Sequence, residues 1–435
     1  MVDTLDFEAN TYRTVTWRLL PFLFLCYILA YLDRVNIGFA RLQMQADLGL
    51  SDTAYGIGAG MFFVGYFFFE VPSNLLMRRV GARIWIARIM ILWGAISSAM
   101  MFTNSQGAFY ALRFLLGIAE AGFFPGVLLY LNYWYPSHRQ SRAIAWLLAA
   151  PPLSFELGAP VSGAIMQSFG GLHGLYDWQW LFLLEAAPAI VLGGCVLLYL
   201  DNGIDGAAWL TADERSLLKD RLARETATKR DHSLRVLLSI PTLWLFVAIY
   251  LLIVTGVYGI NFWLPSIIQQ TGVRSVLSIG WITAASYFVS AVLAVAIARR
   301  AEQRNEKRWS AAAAAALGGA SLALSAAFAD STWLTVGFVT LASAGGLVSM
   351  SLFWSFPGSI LVGAGVAAGI AAINSVGNLG GFIGPYLLGG LTQWLGSSTA
   401  GIAILGGVMV AAGALIAATC KGYGLLATRS SPHGR

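Results

Sequence analysis

Charged residues are scarce in this sequence: only 11% of its 435 residues are Asp, Glu, Lys or Arg, whereas 57% are hydrophobic. Soluble domains usually carry about a quarter charged residues. This scarcity, together with a mean hydropathy of +0.69, excludes an ordinary soluble globular protein. The net charge is +6, but the basic residues fall in short segments between apolar runs. They therefore indicate membrane topology and not a nucleic-acid-binding surface.

Cysteine, histidine and nucleotide-binding motifs are also scarce or absent. The cysteines Cys26, Cys195 and Cys420 lie in apolar segments and form no CxxC or Cys/His pattern. We therefore expect small buried side chains, with no disulfide framework and no metal site. The sequence contains no Walker A motif, no HExxH and no GxSxG, which argues against direct drive by ATP and against an enzyme. We expect no bound cofactor.

The sequence does contain a succession of apolar runs long enough to cross a bilayer as helices, which takes about 20 residues each. We predict an all-α membrane protein with twelve transmembrane helices in two pseudo-symmetric bundles of six. The N-terminal bundle is 1–200, a cytoplasmic linker is 201–240, and the C-terminal bundle is 241–435. The predicted spans are 17–40, 54–77, 84–103, 107–133, 141–166, 178–200, 241–264, 277–299, 309–328, 332–356, 362–391 and 399–420.

The distribution of basic residues predicts the orientation. Arginine and lysine cluster in the even-numbered connections at 78–83, 139–142 and 299–308, and they flank the first and last spans. Only Arg41 and Arg274 lie near odd-numbered connections. By the positive-inside rule, both termini are then cytoplasmic.

The linker and the two halves have recognisable patterns of their own. Within the linker, Thr211 followed by Glu214 predicts a capped surface helix. The string "ELGAPVSG" in the fifth span resembles "FIGPYLLG" in the eleventh, so that Pro160 corresponds to Pro385. Two parallel repeats joined by a cytoplasmic linker are typical of secondary transporters and rare in channels and receptors.

Two adjacent charged residues lie in the first span. A charge at the bilayer centre costs at least about 2.5–3.5 kcal/mol, so it is usually paired and functional. Asp33 and Arg34 point about 100° apart on a helix and can therefore contact different partners. We predict that Asp33 binds a proton and that Arg34 binds a substrate carboxylate through its planar guanidinium. The alternative for both is a structural ion pair.

A third candidate, Glu120, lies near the middle of the fourth span. Burial at this depth favours the protonated form of a carboxyl group, which suits a residue that gains and loses a proton during transport. The alternative is a neutral or arginine-paired residue that only packs. Arg113 lies two helical turns earlier on the same face. It either biases the proton on Glu120 or holds this span against another helix.

Three further glutamates lie inside apolar runs. Glu156, in the fifth span, is either a second proton site, a determinant of substrate polarity, or a residue without a role. Glu70 lies close to the predicted cytoplasmic end of the second span, where we expect it to anchor a loop. For Glu185, in the sixth span, the sequence favours no role.

Polar and aromatic residues within the spans are candidates for a substrate-binding cavity: Tyr31, Tyr66, Trp354, Asn374 and Asn378. The two asparagines are four residues apart and share one helix face. Phenols and amides orient a polar substrate without adding charge. The alternative is hydrogen bonding between helices. We favour this alternative for Asn378, and we favour substrate binding for Asn374.

Four strings together resemble the anion:cation symporters of the major facilitator superfamily: "YLDRVNIGFA", "GYFFFEVPSNLL", "LRFLLGIAEAGFFPG" and "AAINSVGNLGGFIGPYLLG". The resemblance covers all twelve predicted spans and the linker. It implies alternating access by two bundles and uptake of organic anions with protons. Substrates of this family include sugar acids, tartrate-like hydroxy-dicarboxylates, phthalate and other aromatic acids. The positions that the resemblance assigns to coupling or substrate binding are Asp33, Arg34, Glu120, Tyr31, Tyr66, Trp354 and Asn374.

The sequence departs from the family pattern in two places. Arg78 stands where the superfamily has an acidic residue before Arg-x-Gly, which puts the gating ion pair usually ascribed to that acid in doubt. The fifth span offers Pro151, Pro152 and Glu156 where sugar-acid carriers have a glutamine. The similarity along the whole chain is greatest to tartrate carriers.

We therefore predict a proton-coupled symporter of the bacterial inner membrane that imports small organic anions, with tartrate-like hydroxy-dicarboxylates as the first choice. The alternatives are sugar acids, aromatic acids such as phthalate, or a proton-antiporting exporter. A non-transporting sensor is disfavoured because no sizeable soluble signalling domain is present. The expected partners are the anion, protons and the lipid bilayer, with no nucleic acid. We expect a monomer, because two halves complete one pathway.

Overall fold

The computed structural model describes residues 2–226, 240–357 and 365–419. Within these ranges the chain is helical apart from short connections, and it contains no β-strand. Cys420 and the residues at 227–239 of the predicted linker lie outside them. The α-helices of these ranges are α1 Val2–Asp47, α2 Asp52–Val80, α3 Ala82–Ala99, α4 Gln106–Glu120, α5 Phe123–Leu131, α6 Ser137–Leu147, α7 Ala150–Ser168, α8 Asp177–Tyr199, α9 Ala212–Thr226, α10 Pro241–Gln270, α11 Val276–Gln303, α12 Lys307–Ala327, α13 Thr332–Phe353, α14 Gly365–Gly377, α15 Gly380–Leu395 and α16 Ser398–Thr419.

Eleven helical stretches of the described ranges are long and apolar enough to cross a membrane. They match the first ten predicted spans and the twelfth. The eleventh predicted span is instead divided between α14 and α15, and its residues 362–364 lie outside the described ranges. The all-helical membrane fold is therefore confirmed, whereas the full count of twelve spans and the cytoplasmic position of the termini stay predictions.

Three of the predicted spans are broken near their middle. The fourth is interrupted at Ala121 and Gly122, where Gly122 takes the left-handed conformation with φ of +85°. The fifth is interrupted before Pro151 and Pro152, which start a new helix because proline fits the first helical turn. The eleventh is interrupted after Gly377 in a glycine-rich run with low helix propensity. At the first of these breaks, Ala121 and Gly122 place non-helical backbone inside the bundle, which is tolerated there only where protein or a cavity surrounds it.

Successive connections lie at opposite ends of the bundle. We call the end that contains residues 48–51, 103–105, 169–176, 271–275, 328–331 and 396–397 the odd-loop end. The opposite end, with residues 132–136, 200–211 and 304–306, is the even-loop end. At the even-loop end, Glu8 of α1 accepts hydrogen bonds from Arg139 and from Arg221 of the linker helix α9. The predicted cap of α9 is confirmed, since Glu214 N donates to Thr211 Oγ1 at 3.3 Å.

We refer to the described helices before the linker segment 227–239 as the N-terminal half and to those after it as the C-terminal half. These two parts of the chain pack closely toward the odd-loop end. A methyl group added at Gly56 of α2 would lie 2.4 Å from the Pro385 carbonyl oxygen of α15. Likewise, α11 approaches α7 so closely that a methyl group at Gly280 would lie 2.6 Å from the carbonyl oxygen of Ala159. Small residues allow such backbone contact between membrane helices. The two halves are thus joined at the odd-loop end by contacts that leave no room for larger side chains.

We expect the substitution Gly56→Val to prevent closure of the odd-loop end, because its side chain would overlap the Pro385 carbonyl group. The contact can be monitored by thiol cross-linking of Gln167→Cys with Ser275→Cys, whose native side chains hydrogen bond across the halves at 2.8 Å. The yield should fall several-fold with Gly56→Val.

Gly107→Val is the matched control for this prediction. A methyl group at Gly107, in α4, would meet no atom within 4 Å, so the cross-linking yield should match that of the parent. An unchanged yield with Gly56→Val would show that the close contact between α2 and α15 does not govern closure.

Candidate functional site

A buried ion pair lies at the centre of the structure. Arg34 of α1 donates through Nε to Glu120 Oε1 at 3.1 Å, and its Nη2 binds the same oxygen. The side chains are only 11% and 2% exposed. Glu120 is the last residue of α4, so the break at Ala121 and Gly122 coincides with the position of this carboxylate.

Aromatic rings surround the Arg34 guanidinium. Its central carbon lies 4.5 Å from the ring centre of Tyr31, 5.1 Å from that of Phe62 and 5.7 Å from that of Tyr66. Nη1 donates to the hydroxyl group of Tyr258 at 3.4 Å. Because Tyr258 belongs to α10, this bond joins the two halves. Arg34 is therefore placed between the bundles, against ring faces that favour a cation.

Asp33 does not share the partners of Arg34. Its Oδ1 accepts hydrogen bonds from Asn36 Nδ2 at 2.8 Å and from the hydroxyl group of Ser97 in α3. Only 4% of Asp33 is exposed. Within the described ranges Asp33 forms no ion pair with Arg34, which agrees with the expectation that adjacent helical residues contact different partners.

Arg113 is also buried, with 1% exposed. Its Nη2 donates to the carbonyl oxygen of Ala59 at 3.0 Å, which ties α4 to α2. Its positive charge acts in addition on Asp33 and Glu120. The position of Arg113 is therefore compatible with both roles that the sequence left open, which are biasing the proton on Glu120 and holding α4 against another helix. Its direct contact is with α2.

The predicted cavity residues lie in both halves. Tyr31 packs edge-on against Phe155 at 6.1 Å between ring centres. Trp354 packs edge-on against Tyr250 at 4.8 Å. Asn374 and Asn378 are half-buried. Neither side-chain amide group forms a hydrogen bond with another described residue. The structure therefore does not show the hydrogen bond between helices that we favoured for Asn378.

Two of the three further glutamates, Glu156 and Glu70, differ in their surroundings. Glu156 of α7 is half-buried and makes no hydrogen bond or ion pair within the described ranges. We had expected Glu70 to anchor a loop, but it does not. Its Oε2 accepts a 2.6 Å hydrogen bond from Ser375 of α14, because the second span faces the C-terminal half at this level. Glu70 is therefore a contact between the two halves.

Sequence reasoning missed several contributors to this site. Tyr258 lies 224 residues from Arg34 in the chain, and nothing local in the sequence marks it. Ser97 was missed for the same reason. Asn36 was detectable, since a residue three positions after Asp33 lies on the same face of a helix.

A bundle of apolar helices with a charged, aromatic-lined site between two halves defines a membrane transporter. Residues 23–385 match the sequence profile of the Major Facilitator Superfamily. The chain belongs to that superfamily, and the relatives are transporters, not enzymes, as predicted.

Three comparisons illustrate the relationship. The chain is 45% identical over 433 residues to a protein of Agrobacterium vitis described as a candidate tartrate transporter, covering 99% of this chain and 94% of that one. It is 40% identical over 416 residues to a quinolone resistance transporter of Acinetobacter baumannii, covering 93% and 94%. The crystal structure of a D-xylose–proton symporter matches with a TM-score of 0.72 at 14% identity, over 92% of this chain and 97% of that one, which bears on the fold alone.

The Arg34–Glu120 pair yields a prediction about stability. Replacing one partner leaves the other charge buried and unpaired, which typically costs about 3–5 kcal/mol. Arg34→Met and Glu120→Gln should therefore each lower the unfolding temperature in detergent. The double variant should be more stable than Arg34→Met alone, because no charge remains unpaired.

The pair of Lys307 and Glu302, of which Lys307 is half-buried and Glu302 exposed, provides the control. The Glu302 side chain is 72% exposed, and such pairs contribute little, so Lys307→Met should leave the unfolding temperature unchanged. If the effects of Arg34→Met and Glu120→Gln simply add, the two residues do not stabilise each other.

Proposed function

We propose that this protein is a proton-coupled secondary active symporter of the bacterial inner membrane that imports small organic anions by alternating access. The observation that supports it is the buried Arg34–Glu120 pair between the two halves. An arginine held by a carboxylate is suited to bind a second carboxylate that competes with the first.

Charge balance explains how such a site couples the two solutes. With the site empty, Arg34 and ionised Glu120 neutralise each other. When a proton neutralises Glu120, the guanidinium is released to bind one substrate carboxylate, and these groups together are again neutral. A second carboxylate on the same substrate requires a further proton. A state with only the proton or only the anion leaves one charge unpaired in a low-dielectric interior, which is costly. The bundles therefore rearrange most readily when both solutes are bound or when neither is.

Alternating access then concerns the contacts between the halves. If the termini are cytoplasmic, the closely packed odd-loop end faces the outside, and the structure represents a state closed on that side. Opening to the outside requires α2 to separate from α15 and α7 to separate from α11. In the proposed cycle, Asp33 and Glu156 are additional proton-binding residues.

For the substrate we propose a tartrate-like hydroxy-dicarboxylate. The support is the extensive identity with the candidate tartrate transporter. The phenols of Tyr31, Tyr66 and Tyr258 lie around Arg34 and can bond to substrate hydroxyl groups. Trp354, Asn374 and Asn378 would complete the cavity from the C-terminal half.

A second candidate substrate is an aromatic acid such as phthalate. The specific observation in its favour is the number of aromatic side chains near the site. The ring centres of Phe63 and Tyr258 are 4.6 Å apart, and those of Phe155 and Tyr287 are 5.0 Å apart. Flat aromatic ligands gain from offset or edge-on packing on such rings. A panel containing both substrate types separates the candidates.

The experiment is uptake by purified protein in proteoliposomes, with labelled tartrate, galactonate, phthalate and an uncharged sugar. Accumulation of one acid that requires an inward proton gradient, and that a protonophore abolishes, supports symport and names the substrate. Proton-driven extrusion would support instead the exporter alternative, which the name of the quinolone resistance relative raises. The uncharged sugar should not accumulate.

Variants of the pair should separate binding from coupling. Glu120→Gln mimics the protonated residue, so we expect exchange of labelled for unlabelled substrate to continue while gradient-driven accumulation is lost. Arg34→Ala should raise the KM more than tenfold, since truncating a buried charge partner costs about 2–5 kcal/mol.

The control is Arg304→Ala, which removes an exposed arginine at the even-loop end and should leave the KM unchanged. If Arg34→Ala binds substrate as tightly as the wild type, the proposed carboxylate clamp is wrong. If Glu120→Gln still accumulates substrate fully, Glu120 does not couple transport to protons.

A further inference from the structure

A second buried acidic cluster lies within the N-terminal half, apart from the Arg34–Glu120 pair. Glu185 of α8 is 7% exposed, and its Oε1 accepts a 2.7 Å hydrogen bond from Ser162 of α7. Asn36, which is fully buried, donates through Nδ2 to Asp33 Oδ1 at 2.8 Å and lies near the Glu185 carboxyl group. Asn36 therefore stands between two carboxyl groups contributed by α1 and α8.

This cluster has more acceptors than donors. Asp33 Oδ2, Asn36 Oδ1 and Glu185 Oε2 are all buried, and within the described ranges none of them has a hydrogen-bond partner. All three are acceptor oxygens when the acids are ionised. Leaving such atoms without a donor costs free energy. A proton on one carboxyl group would supply an O–H donor inside the cluster.

The two acids are not equivalent. Asp33 accepts hydrogen bonds from Asn36 and Ser97 and faces the positive charge of Arg113. Among the described residues, Glu185 accepts one hydrogen bond, from the Ser162 hydroxyl group, and the titratable group that faces it is Asp33. The ionised form is thus better supported at Asp33 than at Glu185, and paired acids in unequal surroundings take different protonation states.

We propose that Glu185 binds one of the protons carried in each transport cycle, in a proton site that it forms with Asn36 and Asp33. This inference rests on the proposed function. Glu185 lies eight residues from the start of α8, about 12 Å from the odd-loop end at the helical rise. Asp33 lies fourteen residues from the end of α1, about 21 Å deep. Of the two acids in this cluster, Glu185 therefore lies nearer to that end, and it returns to the carboxylate form when the proton leaves.

The test measures proton coupling in proteoliposomes with the membrane potential clamped at zero. Each proton carried with the substrate allows about tenfold more accumulation per unit of pH gradient. In Glu185→Gln the ratio of internal to external substrate should fall about tenfold per unit of pH gradient. Substrate exchange at equal pH should continue at nearly the wild-type rate. Glu302→Gln, at an exposed glutamate of the even-loop end, should behave like the wild type.

An unchanged accumulation ratio in Glu185→Gln would show that Glu185 carries no transported proton. Accumulation driven by a sodium gradient, and lost in the same variant, would overturn the proposal in favour of a sodium site. A wild-type protein that accumulates no acid in any gradient would overturn the proposed function itself, and that result is obtained before any variant is made.

A second variant keeps the proposal testable if Glu185→Gln does not fold. Ser162→Ala removes a hydrogen bond that stabilises the ionised form of Glu185. The midpoint of the pH profile of uptake should then move to higher pH. A structural role for Glu185 would not move this midpoint, so an unchanged profile contradicts the proposal.

Discussion

The buried ion pair between Arg34 and Glu120 is the interaction on which the rest of the structure depends. Neither charge is tolerated alone in a membrane interior, so the backbone must hold them together. The fourth span does this by packing tightly on α2, where a methyl group at Gly117 would lie 2.0 Å from the carbonyl oxygen of Phe62. It then breaks immediately after Glu120. Because the pair lies between the halves, any solute that separates it also changes what the halves can bind.

The remaining polar contacts fall into groups with separate consequences. Toward the odd-loop end, backbone contacts at small residues join α2 to α15 and α7 to α11. Toward the other end, Glu70 meets Ser375 across the halves. Deeper in the N-terminal half, Asp33 accepts a hydrogen bond from Asn36, and Glu185 accepts one from Ser162. Alternating access would require contacts at one end to be exchanged for contacts at the other while the buried charges stay paired. The contacts described above include groups at each end and paired charges in the interior.

Much of the architecture was predictable because the length of hydrophobic runs reports directly on membrane spans. The separate partners of Asp33 and Arg34 followed from helical geometry. The contacts of Arg34 with Tyr258 and of Glu70 with Ser375 were not predictable, because they join residues far apart in the chain. Periodicity shows that a side chain is buried, but it does not show which helix it meets. For the same reason Glu185 had no assigned role until its neighbours were known.

We propose that substrate replaces Glu120 as the partner of Arg34 only when Glu120 takes up a proton. Calorimetric titration of the purified protein with its substrate, in buffers of different ionisation enthalpy, measures this uptake directly. We expect binding at neutral pH to consume protons through linkage, and we expect this uptake to fall by about one proton per substrate in Glu120→Gln. Binding without proton uptake in the wild type, or undiminished uptake in the variant, would contradict it.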